Sequence, residues 1–400
     1  MFKIFLNAWR VQDIRNKILF ILLLLLIYRF GVAIPLPGID LYYLYLVRGG
    51  EMGGDIAQTI FALIAGGGVG SIFAMGIAPY ITSSIIMQLL TYAIPKLSQM
   101  QKEGEDGRKK IQQITRYLAV GLAALQGAAT VFSYTVWGAA WGLTDPITGE
   151  LGLNLFRHHN LFVYGVATLA MITGTIFIMW LAELLTEKGI GNGASFLIFA
   201  NILSQLPSGV MALLVLVTGE QVLSGAVQLA VILAVFIAIV AFVVAVHEGE
   251  RRVPIQHAKK AGGRAAYGNH NSYIPLKVNI AGVLSIIFAI SLMHFPLQIA
   301  QFFNPQEGSI LLWVVEFLDI NSVTGAIFYV ILIFAFTHFY TSFAVNPVEM
   351  AQNLKNNGGF IPGIRPGKPT SDYIQTSVNR LAWIGSVFYS LIALTPILLQ

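Results

Sequence analysis

Ten consecutive apolar residues run from Ile18 to Ile27, and eight further apolar stretches follow along the chain. A helix needs about 20 mainly apolar residues to cross the hydrocarbon core of a bilayer. Nine spans are therefore expected, at roughly 18–35, 73–94, 117–138, 160–182, 194–217, 222–246, 278–303, 323–345 and 379–398. Of the 400 residues, 56% are hydrophobic and only 11% are charged, against about 25% charged in a soluble domain. Such a chain cannot solvate its surface in water, so most of it must face lipid. It contains no cysteine, which excludes disulfide staples and thiolate metal sites.

The opening run follows a basic flank, as the core of a signal peptide would. No small-residue cleavage site comes after it, and the chain continues into Pro35-Leu36-Pro37-Gly38, so a retained first span is the better reading. The basic residues then set the topology. One side of the membrane receives Lys3, Arg10, Arg15 and Lys17, then Lys96, Lys102, Arg108, Lys109, Lys110 and Arg116, then Lys188. The same side receives Arg251, Arg252, Lys259, Lys260, Arg264 and Lys277, and finally Lys355, Arg365, Lys368 and Arg380. The other side receives only Arg48 and Arg157. Lys and Arg stay cytoplasmic, so the N-terminus is expected inside and the ninth span is expected to end outside.

Two interruptions break the pattern of spans. Between the first two lies Asp55 to Ser71, an apolar stretch at Ile60–Ala65 followed by Gly66-Gly67-Gly68-Val69-Gly70. It is too short to cross and too apolar for an open loop. Non-helical backbone at membrane depth needs surrounding protein or a water-filled cavity, so this segment is either an interfacial helix or a re-entrant element. The second interruption is a pair of long loops on the basic side, 247–277 and 346–378, far longer than a helix-to-helix connection needs. Each is either a topological anchor in contact with anionic lipid or a docking face for a large partner, an acidic one or ribosomal RNA.

No phosphate-binding loop of the G-x-x-x-x-G-K-[ST] type and no paired His/Glu zinc motif occurs. No enzymatic activity and no cofactor are expected. His158-His159 has no matching ligand pair and reads as surface histidines. A proton-coupled transporter carries carboxylates near the bilayer midplane, because buried charge is expensive and is kept there for function. The ionisable residues within or beside the spans are few, Arg29, Glu183, His294 and His338 among them. That scarcity argues against ion coupling and for an energy source supplied by a partner. The polar residues in the spans are mostly neutral: Thr82, Ser83, Ser84 and Gln88, then Gln126, then Asn279, Ser285 and Ser291. Each can bond to a neighbouring helix for about 0.6–2 kcal/mol, and together they could line a seam that parts without leaving an apolar gap.

Several local sequences are specific enough to carry a resemblance. Tyr28-Arg29-Phe30-Gly31 leads into Ile34-Pro35-Leu36-Pro37-Gly38-Ile39-Asp40, and Ile72-Phe73-Ala74-Met75-Gly76-Ile77-Ala78-Pro79-Tyr80-Ile81 opens the second span. Lys102-Glu103-Gly104-Glu105, Thr115-Arg116-Tyr117 and Thr186-Glu187-Lys188-Gly189-Ile190-Gly191-Asn192-Gly193 follow. Pro275-Leu276-Lys277-Val278-Asn279 and Pro362-Gly363-Ile364-Arg365-Pro366-Gly367 complete the series. Recurring in order over nearly the whole chain, these resemble the SecY family of bacterial protein-translocation channels.

The resemblance implies an all-α polytopic fold of two pseudo-twofold inverted halves around an hourglass pore, with halves at 1–217 and 218–400 and a re-entrant plug at about 56–71. The plug would comprise Ile60, Phe61, Leu63, Ile64, Gly66, Gly67, Gly68 and Gly70. A constricting ring would be formed by Ile77, Ile81, Ala194, Ile198 and Ile287, with Ala194 smaller than the usual bulky aliphatic residue. An apolar ring dewets and blocks ions, yet holds no passing polypeptide. Thr82, Gln126, Ser291 and Phe295 would lie on a lateral gate through which signal sequences and membrane helices leave. Arg251, Arg252, Lys259, Lys260, Arg264, Lys355, Arg365 and Lys368 would dock a SecA-like motor ATPase or a translating ribosome. Small SecE-like and SecG-like membrane subunits are implied partners, besides signal sequences, nascent polypeptides and membrane lipids, and the implied location is the bacterial inner membrane. The family carries a tenth transmembrane helix, whereas the sequence ends at Gln400 after the ninth, so the expected pore wall is one helix short. A small-solute secondary transporter is the rival reading; it fits inverted repeats but neither the sparse carboxylates nor the motifs.

Overall fold

The computed structural model describes residues 10–41, 68, 70–135, 155–158, 160–218, 222–257, 272–301 and 309–398. The helices are α1 (Gln12–Ala33), α2 (Ala78–Ala93), α3 (Pro95–Lys102), α4 (Glu105–Thr135), α5 (Leu161–Lys188), α6 (Gly193–Thr218) and α7 (Val222–Glu248). After strands β1 (Glu250–His257) and β2 (Ser272–Lys277) come α8 (Leu284–Gln301), α9 (Ile310–Leu318), α10 (Val323–Ala344) and α11 (Pro347–Asn356). The short β3 (Gly359–Phe360) and α12 (Lys368–Leu398) complete the chain. Each of the nine expected spans falls on a helix. Among the described residues six of these, α1, α4, α5, α7, α10 and α12, are long and apolar enough to cross a membrane.

Several boundaries differ from the expected ones for local reasons. The second span begins only at Ala78, because Gly76 has a φ of 53° and Pro79 starts the helix where a missing N–H costs nothing. The seventh begins at Leu284, after a bend in which Gly282 has a φ of 63°. The third and ninth start earlier than their apolar runs, at Glu105 and Lys368, since polar residues continue a helix into water.

The described residues fall into two compact units, 1–208 with 290–322, and 209–289 with 323–400. In the first, the turn 71–77 lies between α1 and α5. Phe73 stacks on Tyr28 of α1 at 6.0 Å and on Phe177 of α5 at 5.8 Å. Two glycines allow this depth: a Cβ on Gly31 would run into the Phe73 ring, and one on Gly174 into the Ile72 carbonyl oxygen. A second apolar cluster joins Leu36, Met75, Val131, Leu155, Phe156 and Met171.

In the second unit α10 packs along α12. Phe334 and His338 both meet the Trp383 ring edge-on, at 5.7 and 4.9 Å. The described parts of the two long basic loops share one core. β1 is the central strand of an antiparallel sheet ordered β2-β1-β3, with Arg252 opposite Pro275 and Gln256 opposite Phe360. Val253, Leu276, Leu354, Ile361, Ile374 and Val378 are buried together beneath it. Alternation along β1 turns Val253 inward and leaves Arg252 exposed.

Candidate functional site

The TEKGIGNG segment joins α5 to α6 through side-chain and steric constraints. Thr186 donates to the Ala182 carbonyl at 2.8 Å and accepts from the Gly193 N–H at 2.8 Å. Asn192 Oδ1 accepts from the Ala194 N–H at 3.0 Å, capping α6. Gly193 lies so close to the Ala182 carbonyl oxygen that no side chain fits there. This sets Ala194 and Ile198, one turn apart, against the start of α2. Ile77, Ile81, Ala194 and Ile198 all belong to one apolar cluster with Ile21, Leu24, Tyr28 and Leu197. Ile77 is buried and the other three are half-buried. Ile287 is buried on α8, in the second unit.

A recess of about 490 Å³ opens beside Ala194 and Tyr80. Arg116 Nε donates to Glu183 Oε1 across it at 2.6 Å, tying α4 to α5, and Gln112 Nε2 reaches the same oxygen at 3.4 Å. Lys109 and Glu187 also line it. In the sequence Glu183 reads as a carboxylate beside a span and Arg116 as a basic flanking residue and part of a motif; nothing in their spacing of 67 residues pairs them.

At the other end of the first unit, Gly68 and Gly70, the two described residues of the expected plug, are held by hydrogen bonds. Ser71 bonds the Gly68 carbonyl through both its N–H and its hydroxyl, at 3.1 and 2.8 Å. Gly70, with a φ of 67°, accepts from the Leu36 N–H at 2.8 Å and donates to the Tyr134 hydroxyl at 3.1 Å. Ile60, Phe61, Leu63, Ile64, Gly66 and Gly67 lie outside the described residues.

Of the lateral-gate candidates, Thr82 and Gln126 are buried on α2 and α4, and Ser291 is buried and Phe295 half-buried on α8. The polar side chains of α2 do not bond to neighbouring helices as expected. Thr82 donates to the Ala78 carbonyl at 3.0 Å, Ser83 to the Tyr80 carbonyl at 2.8 Å, and Gln88 to Ser84 at 3.2 Å. Short side chains reach their own preceding turn more readily than another helix.

The described docking candidates of the second unit sit on a strand, on two helices and just after a turn. Ile361–Ile364 form a turn closed by Ile364 N–H to the Ile361 carbonyl at 3.0 Å, directly before Arg365, and Gly363 and Gly367 have φ values of 81° and 108°. Thr370 donates to the Arg365 carbonyl at 2.9 Å. Arg365 thus follows a turn whose base, Ile361, is buried. Arg251, Lys355 and Lys368 are exposed as well. Arg252 differs from them. Its Nε donates to Glu250 at 2.7 Å and its guanidinium lies 5.0 Å from the Tyr273 ring centre. The hydrogen bond to Glu250, with the neighbouring Tyr273, raises its pKa further. Lys259, Lys260 and Arg264 lie outside the described residues.

Comparison with known proteins gives these features a common setting. A family model described as SecY matches residues 71–400. The protein translocase subunit SecY of Streptomyces galbus is 40% identical over 410 residues, an alignment covering 99% of this chain and 89% of that protein. A solved SecY protein, whose plug domain stabilises the closed state of the translocation channel and maintains a membrane seal, aligns with a TM-score of 0.61 at 18% identity, covering 93% of this chain and 83% of that one. The idle yeast Ssh1 complex bound to the yeast 80S ribosome aligns with a TM-score of 0.63 at 14% identity, covering 95% and 84%. A multi-pass helical membrane protein of this fold and kinship is a protein-conducting channel subunit, with no enzymatic chemistry of its own. The chain belongs to the SecY family, the translocase subunits that form the channel.

Proposed function

We propose that the chain is a passive, gated conduit for unfolded secretory polypeptides and a lateral exit for membrane helices, in a bacterial inner membrane with its N-terminus in the cytoplasm. Ile77, Ile81, Ala194, Ile198 and Ile287 form the constriction, residues 56–71 plug it, and Thr82, Gln126, Ser291 and Phe295 lie along the lateral gate; the two halves of the chain are 1–217 and 218–400. The observation that carries this reading is the convergence of Ile77, Ile81, Ala194 and Ile198, from segments more than 110 residues apart, in one apolar cluster beside a polar recess. An apolar neck of this kind excludes ions by dewetting and offers a moving polypeptide no fixed ligand. The energy comes from a partner, a SecA-like ATPase or a ribosome, docked on Arg251, Arg252, Lys259, Lys260, Arg264, Lys355, Arg365 and Lys368. The ribosome-bound state of the Ssh1 relative supports the second of these partners. SecE-like and SecG-like subunits complete the complex in the membrane.

Replacing Ile81 and Ile198 together by glycine tests the neck. Reconstituted vesicles should then leak ions through the resting channel, and an unchanged conductance would remove both residues from the seal.

A further inference from the structure

The nine-residue helix α9 has no place in the scheme above. Its sequence, Ile-Leu-Leu-Trp-Val-Val-Glu-Phe-Leu, is apolar except for Glu316. At 1.5 Å per residue it is about 14 Å long, less than half the hydrocarbon thickness of about 30 Å. It cannot cross the membrane. Nor does it suit the bilayer interior, where a carboxylate costs several kcal/mol, or open water, which would surround its apolar residues.

Its ends are fixed locally. Ser309 Oγ accepts from the Leu312 N–H at 3.2 Å and caps the first turn. After Leu318, Asp319 closes a turn by accepting from the Asn321 N–H at 3.0 Å through Oδ1 and from the Ser322 N–H at 3.0 Å through its carbonyl. The membrane-crossing helix α10 starts at the next residue, Val323. Even fully extended, five residue steps reach only about 17 Å, so α9 is tethered to the membrane edge at which α10 begins.

The helix has two faces. Leu318 and the following Ile320 are buried in the first unit. Trp313 is 63% exposed, and Phe317 stacks against it with ring centres 5.5 Å apart. Exposed Glu316 shares that face, since residues three and four apart are helix neighbours. An indole and a phenyl ring beside a carboxylate match the boundary between acyl chains and headgroups: the rings enter the apolar margin, the indole N–H finds a headgroup acceptor, and the carboxylate stays wet. We propose that α9 is an interfacial lipid anchor, lying in the membrane surface with Trp313 and Phe317 seated at headgroup depth. It rests only on the chain crossing the membrane on both sides of α9, not on which side faces the cytoplasm.

The test uses the whole chain with its partner subunits in phosphatidylglycerol–phosphatidylcholine vesicles, with lipids brominated at successive acyl positions. The fluorescence component lost on Trp313→Ser isolates this one tryptophan of six. Bromines near the headgroup should quench roughly half of that component and bromines near the chain ends much less, the depth profile of an interfacial ring. A red-shifted component quenched by aqueous iodide and not by bromolipid would place Trp313 in water and overturn the proposal. A blue-shifted component insensitive to both quenchers would show that a protein surface covers α9, which overturns it equally. If Trp313→Ser fails to assemble, Trp313→Phe supplies the same difference spectrum with the packing kept.

Discussion

The backbone N–H of Gly70 donates a buried hydrogen bond to the hydroxyl of Tyr134, 64 residues further along the chain, at 3.1 Å. Around it, Leu36 N–H bonds the Gly70 carbonyl, Ile72 N–H the Ile34 carbonyl and Leu155 N–H the Tyr134 carbonyl. Four separate segments are knotted at the point where the proposed plug rejoins the body of the first unit. Replacing Tyr134 by Phe keeps the ring and leaves a buried donor unpaired, a cost of about 1–3 kcal/mol. Amide exchange at residues 70–72 should accelerate, and the resting ion leak should rise because the base of the plug is loosened. Deleting 56–67 serves as the reference. A leak in the deletion but not in Tyr134→Phe would discard the knot's role, and a leak in neither would discard the plug.

Arg365 and Arg252 should not respond alike to charge reversal. Arg365 is exposed just after a hydrogen-bonded turn, whereas Arg252 already shares its charge with Glu250. Arg365→Glu should lower partner-driven preprotein import into vesicles on the order of tenfold, a usual loss for a docking charge. Arg252→Glu should cost much less. Equal effects of the two would mean that the basic face acts only through its summed charge.

Gly174→Ala tests the packing of the turn before α2. The added Cβ meets the Ile72 carbonyl oxygen, a backbone atom that cannot swing aside. Overpacking of this kind costs typically about 1–3 kcal/mol. The purified complex should melt at a lower temperature, and Gly165→Ala on the same helix, which meets nothing within 4 Å, should not lower it, since alanine favours a helix over glycine.

Ala194→Ile fills the mouth of the recess at the small member of the proposed ring. Conductance of the opened channel should fall while the resting leak stays at its native level, both read by single-channel recording. A raised resting leak would remove Ala194 from the proposed neck.

Much of the architecture was legible because hydropathy and charge are local properties. Every expected span coincides with a helix, and the ordered motifs named the family. The loops 247–277 and 346–378 were legible only as basic and long. That β1, β2, α11 and the start of α12 share a buried core, and that β1 pairs with β3, depends on contacts across more than 70 residues, and no periodicity in either loop announces it. The hydroxyls of Thr82 and Ser83 were read as groups for bonding between helices, yet each turns back on its own helix, because the preceding carbonyl is always within reach.

What the sequence alone determined, then, is a chain of apolar stretches suited to lipid, with its basic residues concentrated in alternate connections between them. It also carried the family motifs that make this chain a SecY channel subunit. Tertiary structure decided which distant groups meet: Arg116 with Glu183, Gly70 with Tyr134, and the start of α2 with the start of α6. The reason is physical. Transfer into lipid depends on each segment's own composition, whereas a hydrogen bond or a shared apolar cluster exists only once packing has brought its members within a few ångströms.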